Sequence, residues 1–113
     1  MNKKQEIMDN LILELRRGTI VLSVLSQLRN PQYGYSLVQS LEAKDVSIDA
    51  STLYPLMRRL EVQNLLQSEW ETSGSKPRKY YVISTLGLEV LEELSKEWEK
   101  MSEKMRNLMK EGN

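Results

Sequence analysis

A chain of 113 residues with 40% apolar content holds material for one modest core, so a single functional unit is expected. With no cysteine, no histidine and no glycine-rich phosphate loop, the chain is expected to be neither an enzyme nor a zinc protein or metal sensor, and no cofactor is implied. Sixteen basic residues balance sixteen acidic ones, and nothing reads as a signal peptide or as the roughly 20 apolar residues that span a bilayer, which points to a cytoplasmic protein with no membrane partner.

Between Ile7 and Leu28 apolar residues recur at helical spacing, with Gly18 inside the run as a candidate bend. Asn30-Pro31-Gln32 ends that run, because proline cannot continue a helix and the residue before it avoids the helical region. A second helix is predicted from about Tyr33 to Lys44. A third is predicted from about Ser51 to Gln63 on Leu53, Leu56, Met57, Leu60 and Val62, with Asp49 or Ser51 as its N-cap. Pro55 requires this helix either to begin near Thr52 or to start earlier and bend. Asn64, a good substitute for glycine in the left-handed conformation, should close it.

Leu66 to Thr72 and Arg78 to Ser84 read as two short strands, the second carrying the β-favouring run Tyr80-Tyr81-Val82-Ile83. Ser73-Gly74-Ser75-Lys76-Pro77 between them has turn composition, giving a hairpin with a basic tip. Thr85 is the predicted cap of a long last helix ending near Lys110. The expected fold is mainly α with a small β-hairpin: a winged helix-turn-helix unit over residues 1–84, which binds DNA, and a C-terminal dimerisation helix over 85–113.

Charge is balanced but segregated. Lys76, Arg78 and Lys79 follow one another without an acid, Arg58 and Arg59 are adjacent, and Glu89, Glu92, Glu93, Glu97, Glu99 and Glu103 dominate the tail. One region therefore attracts phosphate while another repels it. In the third helix Ser51, Thr52, Tyr54, Arg58 and Arg59 have the character of a DNA reader, with hydroxyls for phosphates or base edges and guanidinium groups for phosphates or guanine. The plainer reading makes Ser51 and Thr52 caps, Tyr54 core, and the arginines a solvated face. The wing residues Lys76, Arg78 and Lys79 suit a phosphate backbone.

In the last helix Leu91, Leu94, Trp98, Met101, Met105 and Leu108 alternate separations of three and four residues, the pattern of a heptad seam. Such a seam is buried either within the protomer or against the same helix or the N-terminal helix of a second copy, giving a homodimer whose two reading helices fit a palindrome in double-stranded DNA. Trp98 with Met101 either packs in this core or lines a site for a small aromatic ligand.

Tyr33-Gly34-Tyr35, the block Leu53-Tyr54-Pro55-Leu56-Met57-Arg58-Arg59-Leu60-Glu61, and Arg78-Lys79-Tyr80-Tyr81-Val82-Ile83-Ser84 with Gly87 resemble, in order and spacing, the PadR-like transcriptional regulators. The resemblance covers about Gly18 to Trp98. It implies a winged-helix repressor, dimeric through its C-terminal helix, whose targets are often detoxification, efflux or phenolic-acid genes. It also implies Tyr35 and Tyr54 at the DNA face, with Lys76, Arg78 and Lys79 on the backbone. Trp98 resembles the tryptophan that stacks on flat drugs in the short-tailed, multidrug-binding subgroup. Asn64 and Ser84 depart from the family's usual glycine and threonine. A dimeric winged-helix adaptor that grips protein instead of DNA is the alternative role, since fold alone does not dictate the partner.

Overall fold

Asn2 opens the first helix, its Oδ1 accepting from the Gln5 N–H at 2.8 Å, and α1 then runs Lys3–Arg17. The computed structural model describes residues 2–111; Met1 and the last two positions of the expected 85–113 unit lie outside it. The run expected as one helix with a bend is two helices. Gly18 ends α1, and both the amide and the hydroxyl of Thr19 donate to the Arg16 carbonyl, at 3.0 and 2.9 Å. This satisfies one of the end carbonyls of α1 and lets the chain restart as α2, Ile20–Gln27.

A two-residue strand β1, Gln32–Tyr33, precedes α3, Gly34–Ala43; α4 is Ala50–Val62, β2 is Leu66–Glu71, β3 is Arg78–Ile83, and α5 is Thr85–Glu111. The expected hairpin is thus a three-stranded antiparallel sheet in the order β1-β3-β2, with Gln32 opposite Tyr81 and Tyr33 opposite Tyr80. Both sides of β3 are paired, which uses backbone groups that a hairpin would leave open.

Helices α3 and α4 close in the same way. Asp45 and Asn64 adopt φ of 63° and 66°, and the following amides, Val46 and Leu65, reach back to the carbonyls of Leu41 and Leu60 at 2.8 and 2.9 Å. These are Schellman closures built on non-glycine residues. At the other end of α4, Asp49 occupies the cap position without a side-chain bond, its carbonyl accepting from Thr52 and Leu53, so Ser51 is not the cap. The helix starts at Ala50 and encloses Pro55, which excludes a start near Thr52 and deprives the Ser51 carbonyl of its helical donor.

The last helix is capped by Ser84 and not by Thr85. The Ser84 hydroxyl accepts from the Gly87 amide at 2.9 Å and donates to the Asn64 carbonyl at 2.6 Å, while its own amide donates to the Leu65 carbonyl at 3.0 Å. One buried serine therefore ties the end of α4 to the start of α5.

The core lies between α2, α3, α4, the sheet and the first turns of α5, and includes Leu25, Leu28, Leu37, Leu53, Met57, Leu60, Tyr81, Ile83 and Leu91. Helix α1 buries none of its residues. From Ser95 onward, the described part of α5 has no buried residue either. The radius of gyration is 16.9 Å, whereas a compact chain of this length would give about 13 Å, so the two terminal helices extend well beyond the core.

Candidate nucleic-acid interface

Helix α4 divides cleanly. Leu53, Met57 and Leu60 are buried, while Ser51, Thr52, Arg58 and Arg59 are exposed and Tyr54 is half-buried. Ser51, Tyr54 and Arg58 stand at i, i+3 and i+7 and share one side; Thr52 and Arg59 border it. Neither Arg58 nor Arg59 forms an ion pair among the described residues. Thr52 also lines a separate hollow with Arg16 and Arg17 of α1, away from Tyr54.

Gly34 sets the position of Tyr54. A Cβ at residue 34 would lie 2.4 Å from the Tyr54 Cε1, so only glycine allows the start of α3 to rest against that ring. The contact forms one wall of a concavity of about 510 Å³ shared by Tyr35, Tyr54, Trp70, Arg78 and Lys79. Tyr35 is exposed, and its hydroxyl accepts from Gln39 Nε2 at 3.1 Å. Four of the residues expected at the DNA face, from α3, α4 and the wing, thus meet at one cleft.

The wing differs from expectation in one residue. Lys76 and Arg78 are exposed, and Arg78 lies 5.5 Å from the centroid of the Tyr33 ring. Lys79, expected on the phosphate backbone, is instead half-buried on β3 and paired with Glu61 of α4 at 3.2 Å. Strand alternation explains this: Lys79 points to the same side as buried Tyr81, and Arg78 to the other. The hydrogen bond from Ser68, and then Lys79, hold the Glu61 carboxyl below the usual range against the opposing effect of burial. Burial acts to lower the Lys79 pKa, but Glu61 and Tyr81 outweigh it and the net shift is upward. The pair is therefore fully charged at neutral pH.

Trp70 escaped the sequence reading. It is exposed on β2 directly opposite Lys79, and the available signal was an aromatic facing a lysine across a hairpin. The wing also carries Glu69 and Glu71 on the face opposite Trp70, where Tyr80 Oη donates to Glu69 at 3.1 Å and the Ser73 amide to Glu71 at 2.9 Å. The hairpin therefore has an acidic side as well as a basic end.

The expected seam of α5 divides in two. Leu91 is 4% exposed in the protomer core and Leu94 packs against that core, because the first turns of α5 lie on α2; these two residues are not free for a partner. Trp98, Met101, Met105 and Leu108 remain exposed, as do Ile7, Met8, Leu11, Ile12 and Leu15 of α1. Trp98 borders a concavity of about 470 Å³ with Leu22 and Ser26 of α2 and Ser95 of α5, and Met101 lies outside it.

Comparison with known proteins agrees with this architecture. The profile of the transcriptional regulator PadR-like family matches residues 21–93. A transcriptional regulator of Mycobacterium tuberculosis is 31% identical over 81 residues, spanning 71% of this chain and 76% of its own. The crystal structure of a PadR family transcriptional regulator from Eggerthella lenta superposes with a TM-score of 0.91 at 53% identity, covering 94% of this chain and 95% of that one. Bacillus subtilis PadR in complex with operator DNA is similar in fold, with a TM-score of 0.61 at 20% identity over 66% of this chain and 45% of that one. The chain belongs to the PadR-like family of transcriptional regulators.

Proposed function

We propose that two copies of the chain pair through α1 and the exposed part of α5, lay their α4 faces and wings on one operator in double-stranded DNA, and repress transcription in the cytoplasm without any catalytic activity. The observation that carries this reading is the position of Tyr54, which shares a helix face with Ser51 and Arg58 and a cleft with Tyr35 and Arg78. In this reading Ser51, Tyr54 and Arg58 meet the groove, Thr52 and Arg59 border it, Tyr35 packs on the sugar–phosphate chain, and Lys76 and Arg78 follow the backbone. Residues 1–84 supply the DNA-binding part and 85–113 the dimerising helix, whose first turns also complete the protomer core.

The test is enrichment of bound duplexes from a random pool. A palindromic consensus is expected, and Arg58→Ala should relax it at one or two positions per half-site at a cost of about 1–3 kcal/mol. A pool that returns no consensus would sink the proposal.

Release by a planar aromatic ligand rests on Trp98, 45% exposed beside its concavity, with exposed Met101 three residues further along α5. Such control requires the ligand to favour one spacing of the two reading helices over another. Trp98→Ala should abolish binding of flat aromatic dyes followed by fluorescence; unchanged binding would remove the ligand site.

A further inference from the structure

The base of the wing is held by the core through Tyr81 and Ile83, but its outer half, residues 72–78, is exposed throughout. Where the hairpin leaves the core, Glu61 in the last turn of α4 accepts from the Ser68 hydroxyl of β2 and from Lys79 Nζ of β3, the latter at 3.2 Å. The register puts Ser68 opposite Tyr81 and Trp70 opposite Lys79, so these four side chains share the face turned to α4. The Lys79 ammonium lies 5.2 Å from the Tyr81 ring centroid and 6.0 Å from that of Trp70. It thus meets a carboxylate and two aromatic faces together.

Reaching a DNA phosphate would take Lys79 out of this arrangement. The move would break the ion pair and leave the Glu61 carboxylate uncovered near the phosphates, an unfavourable exchange of attraction for repulsion. Lys76 is exposed and forms no ion pair among the described residues, so it can serve the backbone at no comparable cost. We propose that Glu61 and Lys79 form a latch that fixes the direction of the wing relative to α4, making Lys79 a positioning residue for DNA reading and not a phosphate contact. This inference rests on the operator-binding reading above.

Two measurements test it. In DNA titrations across a salt series, Lys79→Ala and Glu61→Gln should each weaken operator binding about tenfold while leaving the salt slope unchanged, and Lys79→Arg should retain affinity. The double variant should be no weaker than either single one, because both remove the same contact. Lys76→Ala should instead lower the salt slope by about one. The ion pair is partly exposed and contributes little to folding, so the variants remain folded.

The second measurement needs no DNA. The chain contains no cysteine, so spin labels can be placed at Val62→Cys on α4 and Ser75→Cys on the wing. One narrow distance distribution is expected, broadening in Lys79→Ala and Glu61→Gln but not in Lys79→Arg. A distribution that stays narrow in all variants overturns the latch, as does a salt slope that falls by about one in Lys79→Ala. A parent protein that prefers no DNA sequence refutes the operator reading, while the label distances still decide the latch.

Discussion

Gly87→Ala should destabilise the protein by about 3 kcal/mol or more, the upper end of overpacking effects. A Cβ at residue 87 would lie 2.2 Å from the Leu65 carbonyl oxygen and 2.6 Å from the Ile83 Cγ1. The first of these is backbone and is held in place, since the Leu65 carbonyl accepts from Ser84 and the Leu65 amide donates to Leu60. Relief therefore requires α5 to move away from the end of α4, which breaks the cap in which Ser84 accepts from the Gly87 amide. Gly18→Ala is the control: it has no atom within 4 Å of an added Cβ and its φ of −70° suits alanine, so stability should be unchanged or raised by up to about 1 kcal/mol. Urea unfolding of both variants at matched protein concentration measures the difference. A Gly87→Ala midpoint equal to that of the parent would show that α5 docks more loosely than described.

Replacing Met101 and Met105 together with glutamate should convert the protein to a monomer and weaken operator binding about 100-fold or more, through loss of the second half-site. Both residues are exposed in the protomer, on a helix stretch that contributes nothing to the core, so the monomer should keep its fold. Helix α1 presents Ile7, Met8, Leu11, Ile12 and Leu15 at 40% to 79% exposure. A soluble monomer rarely leaves two such apolar helices uncovered. The proposed two-fold pairing of α1 and α5 with their copies would cover both. Sedimentation equilibrium gives the mass directly, and a dimer that survives both glutamates would place the interface elsewhere.

Local chemistry carried most of the fold into the sequence. Pro31 and Asn64 marked their helix boundaries because each acts through its own backbone, and Tyr80 to Ile83 declared a strand by composition. The strand at Gln32–Tyr33 was hidden, since two residues hold no alternation and the pairing depends on the free side of β3. The same limit explains Ser84. Its position one residue before Thr85 is legible, but its role as cap depends on Asn64 and Leu65 arriving from another helix.

The candidate interface was legible by residue type and less so by direction. Heptad spacing identified the face of α5 but not what covers it, so Leu91 and Leu94 passed for dimer residues while the protomer core already buries Leu91 and partly covers Leu94. Lys76, Arg78 and Lys79 looked equivalent in a run. Alternation across the hairpin then turned Lys79 toward Glu61 and left the other two exposed.

Operator recognition is tested by titration of the purified protein against the DNA upstream of its own gene and against a scrambled duplex, each across a salt series. Two protomers per site, clear preference for the upstream DNA, and affinity that falls steeply as salt rises are expected. Equal affinity for both duplexes at every salt concentration would contradict operator recognition.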